Sequence, residues 1–278
     1  MGSRLLASLL LLGATLHAQE VSELLEALSR SAAIFALTAP GLGAEETLDQ
    51  RGRRGFIEVL NGKVPMRKNS DLNLPEEFQQ HHVVSKYALN EDSSGLHESR
   101  SSVAMDGIDA EDSRAIRHAM SIGVSDPRRQ SLEDFEHEKL DGAVTDFGQL
   151  ILLFTSRHLA DYDFSLSDPD KPVLSYHQKS GSHGLTFFEQ RTAERQPIEG
   201  QIWFRAEDLV PLRITLKTRK ALSRNFAVET EAAVEYIPSR FGLVPAAVSH
   251  RQFLNSLLLV ENDLHYANYR HTGPELIP

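Results

Sequence analysis

Apolar residues in this chain follow a helical period near the start and a strand period from about residue 160 onward. Val21, Leu24, Leu25, Leu28, Ile34 and Phe35 recur near the spacing of one helix face, and Ser22 precedes Glu23. This predicts an amphipathic helix over residues 21–37, stopped by Pro40-Gly41. After Ala160 the chain runs DYDFSL, VLSYHQ, LTFFEQ, GQIWF, VPLRITLKT, VETEAAVEY, LVPAAVSHRQF and SLLLVENDLHYANY, with Gly, Pro, Asp, Ser or Asn breaks between. Such regular strand spacing predicts an antiparallel meander curled into a barrel or half-barrel. The absence of strand–helix alternation argues against a doubly wound parallel sheet.

The alternation also assigns faces. Val210, Leu212, Ile214 and Leu216 share one side of their strand, and Ile202 and Phe204 meet them across a hairpin. Trp203 then lies on the other face, near Arg213. Val228, Thr230, Ala232, Val234 and Tyr236 likewise oppose Glu229, Glu231 and Glu235.

The middle of the chain is mixed. RRGFIEVLNG (53–62) and HHVVSKYAL (81–89) read as strands joined by a polar connection containing Pro65 and Pro75. GLHESRSSVAMDG (95–107) alternates loosely and ends in Asp106-Gly107, a hairpin turn signal. Residues 109–123 have helical composition. Asp126-Pro127 suits the N-cap and first turn of a second helix, and Thr145-Asp146 can cap a third, FGQLILLFTSRHL. Leu150 to Phe154 is apolar on every side, which calls for burial. These segments predict a helical insert at about residues 109–159. The expected fold class is mainly β with helices (α+β): a curved antiparallel half-barrel whose helical insert packs on or plugs its concave face.

The N-terminus changes the setting. MGSRLLASLLLLGATLHAQE has Arg4, an apolar run over 5–12, and Ala18 before a cleavage site, as a secretory signal peptide over residues 1–18 would. A buried N-terminal helix is the alternative. Residues 19–278 are then expected to form one domain. The chain holds no cysteine among 278 residues, so an exported form has no disulfide framework and relies on its core. A net charge of −10 argues against nucleic acid as a partner. No later segment is long and apolar enough for a transmembrane helix. The expected location is periplasmic or secreted, in a bacterium.

A search for catalytic chemistry is mostly negative. GLGAEE (41–46) has two glycines of a dinucleotide loop but Glu46 where the third belongs, and reads as a plain turn. HESRS and HEKLD lack the second histidine of a zincin helix, and SGSHG is one residue short of a nucleophile elbow. DGIDAED lacks the order of a calcium loop. His81 and His82 point to opposite faces of a strand. His177 and His183 flank a glycine turn and can converge at a hairpin mouth, and His250 and His265 fall on candidate neighbouring strands. A metal needs three or four converging ligands, so these histidines read as solvated or hydrogen-bonded, with a histidine-metal hydrolase as an alternative. No metal or other cofactor is expected.

GQIWFRAEDLVPLRI followed by VEYIPSRFGLVPAAV resembles the hairpin pattern of bacterial LolA-like proteins, the periplasmic lipoprotein-carrier and lipid-binding superfamily. The matching positions are Gly200, Ile202, Trp203, Phe204, Pro211, Arg213 and Ile214, then Tyr236, Gly242, Leu243 and Pro245. The chain also resembles secreted bacterial proteins with the segments GAVTDFGQLILLF and LLLVEN, a likeness that implies no function. The LolA-like resemblance implies an incomplete barrel that holds lipid or acyl chains beneath helical lids. The larger insert and the segment 62–80 depart from it and put transport of whole lipoproteins in doubt. The expected function is therefore non-enzymatic binding of a lipid or other apolar ligand. Its expected site is the apolar face Ile202, Phe204, Leu212, Ile214 and Leu216 with the plug residues Leu150, Leu153 and Phe154. An envelope protein–protein interaction module with a self-filled core is the alternative.

Overall fold

Helix α1 spans Gly2–Thr38 in a computed structural model that describes residues 2–53, 76–92, 95–109, 147–168, 171–179, 186–189, 192–195, 197–221 and 226–271. Leu24, Leu28, Ala32 and Phe35 lie fully inside the molecule, one stripe at helical spacing. The helix stops as expected. Thr38 Oγ1 donates to the Ile34 carbonyl, Ala39 N bonds Phe35 O, and Pro40 with Gly41 (φ 79°) turns the chain.

Beyond that turn the GLGAEE segment departs from expectation. Only Gly41 belongs to a turn. Leu42–Arg53 is strand β1, with Leu42, Ala44, Glu46, Leu48 and Gln50 on its buried face. Two of those five positions are polar, which hides the alternation in the sequence. Strands β2 (Phe78–Asp92) and β3 (Gly95–Met105) follow, as HHVVSKYAL and GLHESRSSVAMDG indicate. Asp106 (φ 52°) and Gly107 (φ 79°) form the turn into β4 (Ile108–Asp109). Arg53, the first residue of the expected strand at 53–62, ends β1, and Asp109, the first of the expected helical segment, ends β4; residues 54–62 and 110–146, with the expected helices and caps there, lie outside the described residues.

From Tyr162 onward the chain is a meander. Its strands are β5 (Tyr162–Asp168), β6 (Val173–Gln178), β7 (Thr186–Glu189), β8 (Thr192–Arg195), β9 (Glu199–Phe204), β10 (Pro211–Ala221), β11 (Ala227–Ser239), β12 (Gly242–Leu254) and β13 (Leu257–His271). LTFFEQ pairs with β8 in a separate two-stranded ribbon. The others form one antiparallel sheet of eleven strands in the order β4-β3-β2-β1-β13-β12-β11-β10-β9-β6-β5. The sheet is open. Strand β1 pairs with β13, so the two ends of the chain meet in its middle. Helix α1 and a short segment at 147–154 cover one face, called the covered face below.

That segment corrects a sequence expectation. FGQLILLF is a 3-10 helix, Phe147–Phe154, kinked at Gln149 (φ −98°, ψ 17°), and not the start of an α-helix through Leu159. Side chains from the sheet take its backbone groups. Gln149 N donates to Glu98 Oε1, while Tyr236 Oη accepts from Ile151 N and donates to Gly148 O. A backbone held from outside in this way does not need the regular intrahelical ladder.

Candidate functional site

An aliphatic row crosses the covered face from β3 to β5. Met105, Val83, Leu48 and Leu264 are successive register partners. The row continues through Val248, Val234, Ile214, Ile202, Leu174 and Leu166. Except for half-buried Leu166, all are buried. This row contains the apolar face that the alternation of β9, β10 and β11 foretold, and carries it on over the neighbouring strands.

The row beside it is divided. Its first half reads His81, Gln50, Asn262 and His250 across β2, β1, β13 and β12. Its second half turns apolar with Ala232 and Leu216. The polar half is wired together. Gln50 Nε2 donates to Asn262 Oδ1 at 2.8 Å, and Asn262 Nδ2 lies 3.0 Å from His250 Nδ1. Burial pushes the His250 pKa from 6.5 down to about 4, so the ring is neutral at ordinary pH. The Phe147 ring lies over it at 5.3 Å. The next row adds buried Gln252, Thr230 and Thr218.

A second polar cluster lies on the other side of the aliphatic row. Arg100 Nε donates to both oxygens of Glu46 at 2.8 Å, and its Nη2 donates to Glu98 Oε2 at 2.8 Å. Glu46 is 2% exposed and Glu98 0%. Desolvation works against the guanidinium, but Glu46, Tyr266 and Glu98 raise its pKa well above the usual range. The Tyr87 ring lies beneath the guanidinium at 5.4 Å and packs on Tyr266 at 4.7 Å. Burial raises the pKa of both tyrosines. Gly148 makes the cluster's contact with the 3-10 segment possible, because a Cβ there would lie 2.7 Å from Glu98 Oε1. The cluster therefore anchors the 147–154 segment while keeping two buried carboxylates on one cation.

The expected site residues divide accordingly. Ile202, Phe204, Ile214 and Leu216 are buried on the covered face, and Leu150 and Phe154 are buried beside them in one core. Phe154 stacks against Tyr162, Phe164 and Tyr176. Leu153 is only half-buried. Leu212 is also half-buried, because the β9–β10 pairing shifts register between Pro211 and Arg213 and puts Pro211 inside. Sequence reasoning missed Glu46, Gln50, Glu98 and Arg100. All four lie on strands whose inward positions mix polar with apolar residues, so no clean period-two apolar signal marks them.

On the opposite face Trp203 meets Arg213, as expected, with the guanidinium 5.2 Å from the ring. The polar corner between β9 and β10 is stapled by Arg205 and Asp208 at 2.8 and 2.5 Å. His81 and His82 diverge. His81 Nδ1 bonds Asp106 Oδ2 at 2.8 Å, and His82 Nδ1 bonds Asp49 Oδ1 at 2.7 Å. His250 is buried, whereas His265 is exposed on β13. His183 lies outside the described residues. Among the described residues no group of three or more His, Asp or Glu side chains is placed to hold a metal ion. Nor, among them, is any helix long and apolar enough to cross a membrane. No family model matches this chain, and neither does any curated protein or solved structure.

Proposed function

We propose that this is a non-enzymatic, secreted or periplasmic lipid-binding protein of LolA-like fold, whose ligand lies along the concave face of a half-barrel. One observation carries the proposal: an unbroken aliphatic row covered by helix α1 together with a short, separately anchored segment, Phe147–Phe154. The anchors are side-chain hydrogen bonds from Glu98 and Tyr236 to its backbone. Such a segment leaves and returns without unpairing any strand. An acyl chain in its place exchanges one apolar contact for another, at ~0.8 kcal/mol per buried CH₂.

Curvature is supported by the irregularities in strand pairing. Register shifts occur in β1, β2, β10, β11, β12 and β5 pairings. Gly200 adds a close approach: a Cβ there would lie 2.0 Å from Thr215 O, and the Tyr176 ring packs across the gap with its hydroxyl on that carbonyl at 2.7 Å. Bulges and aromatic-covered glycines are the usual means of curling a sheet. Several positions of the LolA-like pattern do structural work here. Pro211 is buried, Gly242 (φ 93°) closes the β11–β12 turn, and Pro245 O accepts the Tyr269 hydroxyl at 2.7 Å.

The test is uptake by delipidated protein of a fatty acid, a phospholipid or a lipopeptide. Stoichiometric binding of any of these supports the proposal. A second reading, an envelope interaction module with a self-filled core, is favoured by the complete burial of Ile202, Ile214 and Leu216 under the chain's own side chains. Failure to take up any apolar ligand, with an envelope protein captured at fixed stoichiometry, would decide for that reading.

A further inference from the structure

His250 holds a hydrogen-bond donor that the described residues leave unused. Gln50 Nε2 donates to Asn262 Oδ1, so Asn262 has its Nδ2 to offer His250 Nδ1. Nδ1 is thus an acceptor, and the neutral ring carries its hydrogen on Nε2. That Nε2 is buried and has no partner. His250 itself pairs with Ala232 on β11, and the row continues from there to Leu216. The donor therefore sits where the polar half of the row meets its apolar half. Phe147, the first residue of the plug, covers that junction.

We propose that His250 Nε2–H recognises the head of an amphipathic ligand through an uncharged oxygen acceptor such as an ester carbonyl, while the hydrocarbon tail replaces the plug along the aliphatic row. This rests on the lipid-binding reading above and specifies its ligand. The geometry selects against the two simpler ligand types. An alkane leaves the buried donor unsatisfied. A carboxylate brings a full charge to a neutral donor, and half-buried Arg100 is already engaged by Glu46 and Glu98. An ester carbonyl satisfies the donor and adds no charge.

The experiment compares binding of methyl laurate, laurate and tridecane to the delipidated full chain and to His250→Leu. The wild type is expected to bind methyl laurate about tenfold more tightly than tridecane, with laurate weaker than the ester. The variant is expected to bind ester and alkane alike. If the wild type binds none of the three, the lipid reading itself falls. If it binds them without preference, or the preference persists in His250→Leu, the role of His250 falls and the lipid reading stands. Should the variant not fold, imidazole nitrogen NMR of the wild type decides. The Nε2–H tautomer and a downfield move of its proton on adding methyl laurate are expected. An Nδ1–H tautomer, or a resonance that the ester leaves in place, overturns the proposal.

Discussion

Acid should weaken this fold through His250 in a way that one substitution removes. Burial lowers the ring's pKa from 6.5 to about 4. Between those values the unfolded chain takes up a proton that the folded chain refuses. Stability contributed by the neutral folded ring is complete above about pH 6.5 and is lost as pH falls to about 4. At about 1.4 kcal/mol per pH unit, the loss is about 3 kcal/mol. His250→Leu cannot titrate there. At pH 7 the variant should be less stable by about 1–3 kcal/mol, because Asn262 Nδ2 loses its acceptor in a buried place. Urea unfolding of both proteins at steps from pH 7 to pH 4 checks this. All other titrating groups are shared, so the stability difference should move by about 3 kcal/mol in the variant's favour, and the two curves should converge or cross. Parallel curves would refute the reasoning, since they would mean that the imidazole is not held neutral in the fold.

Further outcomes follow from the anchors and from the sheet. Arg100→Met leaves Glu46 and Glu98 buried without their cation and should cost about 3–5 kcal/mol in chemical denaturation at pH 7; a loss under 1 kcal/mol would mean that the cluster is hydrated. Tyr236→Phe removes a hydroxyl bonded to both Gly148 O and Ile151 N, so stability should fall by about 1–3 kcal/mol and the Ile151 amide should exchange faster. Unchanged exchange would show that the plug is held by packing alone. Gly200→Ala places a methyl against Thr215 O and the Tyr176 ring and should cost about 1–3 kcal/mol; a neutral result would contradict the close approach at that position.

The meander was legible because β9, β10 and β11 alternate aliphatic and polar residues over most of their length. Ile202, Ile214 and Val234 announce the face they share. Trp203 and Arg213 were legible for the same reason, as cross-strand partners on the wet face. Strand β1 was not. Its inward positions include Glu46 and Gln50, whose polar groups are satisfied by Arg100 on β3 and Asn262 on β13. No local pattern reports partners so distant in the chain. The 147–154 segment was legible as buried but not in its geometry, because Glu98 and Tyr236, far away in the chain, take the backbone groups of Gly148, Gln149 and Ile151. The inward place of Leu212 was lost to a register shift, which periodicity does not register. The proposal of a lipid ligand rests on the resemblance and on the aliphatic row together; no single residue in the chain spells it.

Native mass spectrometry of protein purified gently from its native source tests the lipid-binding proposal most directly. A one-to-one complex with an ester-headed acyl compound, lost on delipidation and restored by adding it back, is the expected result. A bare protein mass that no apolar ligand shifts would contradict it and leave the covered face a self-filled core.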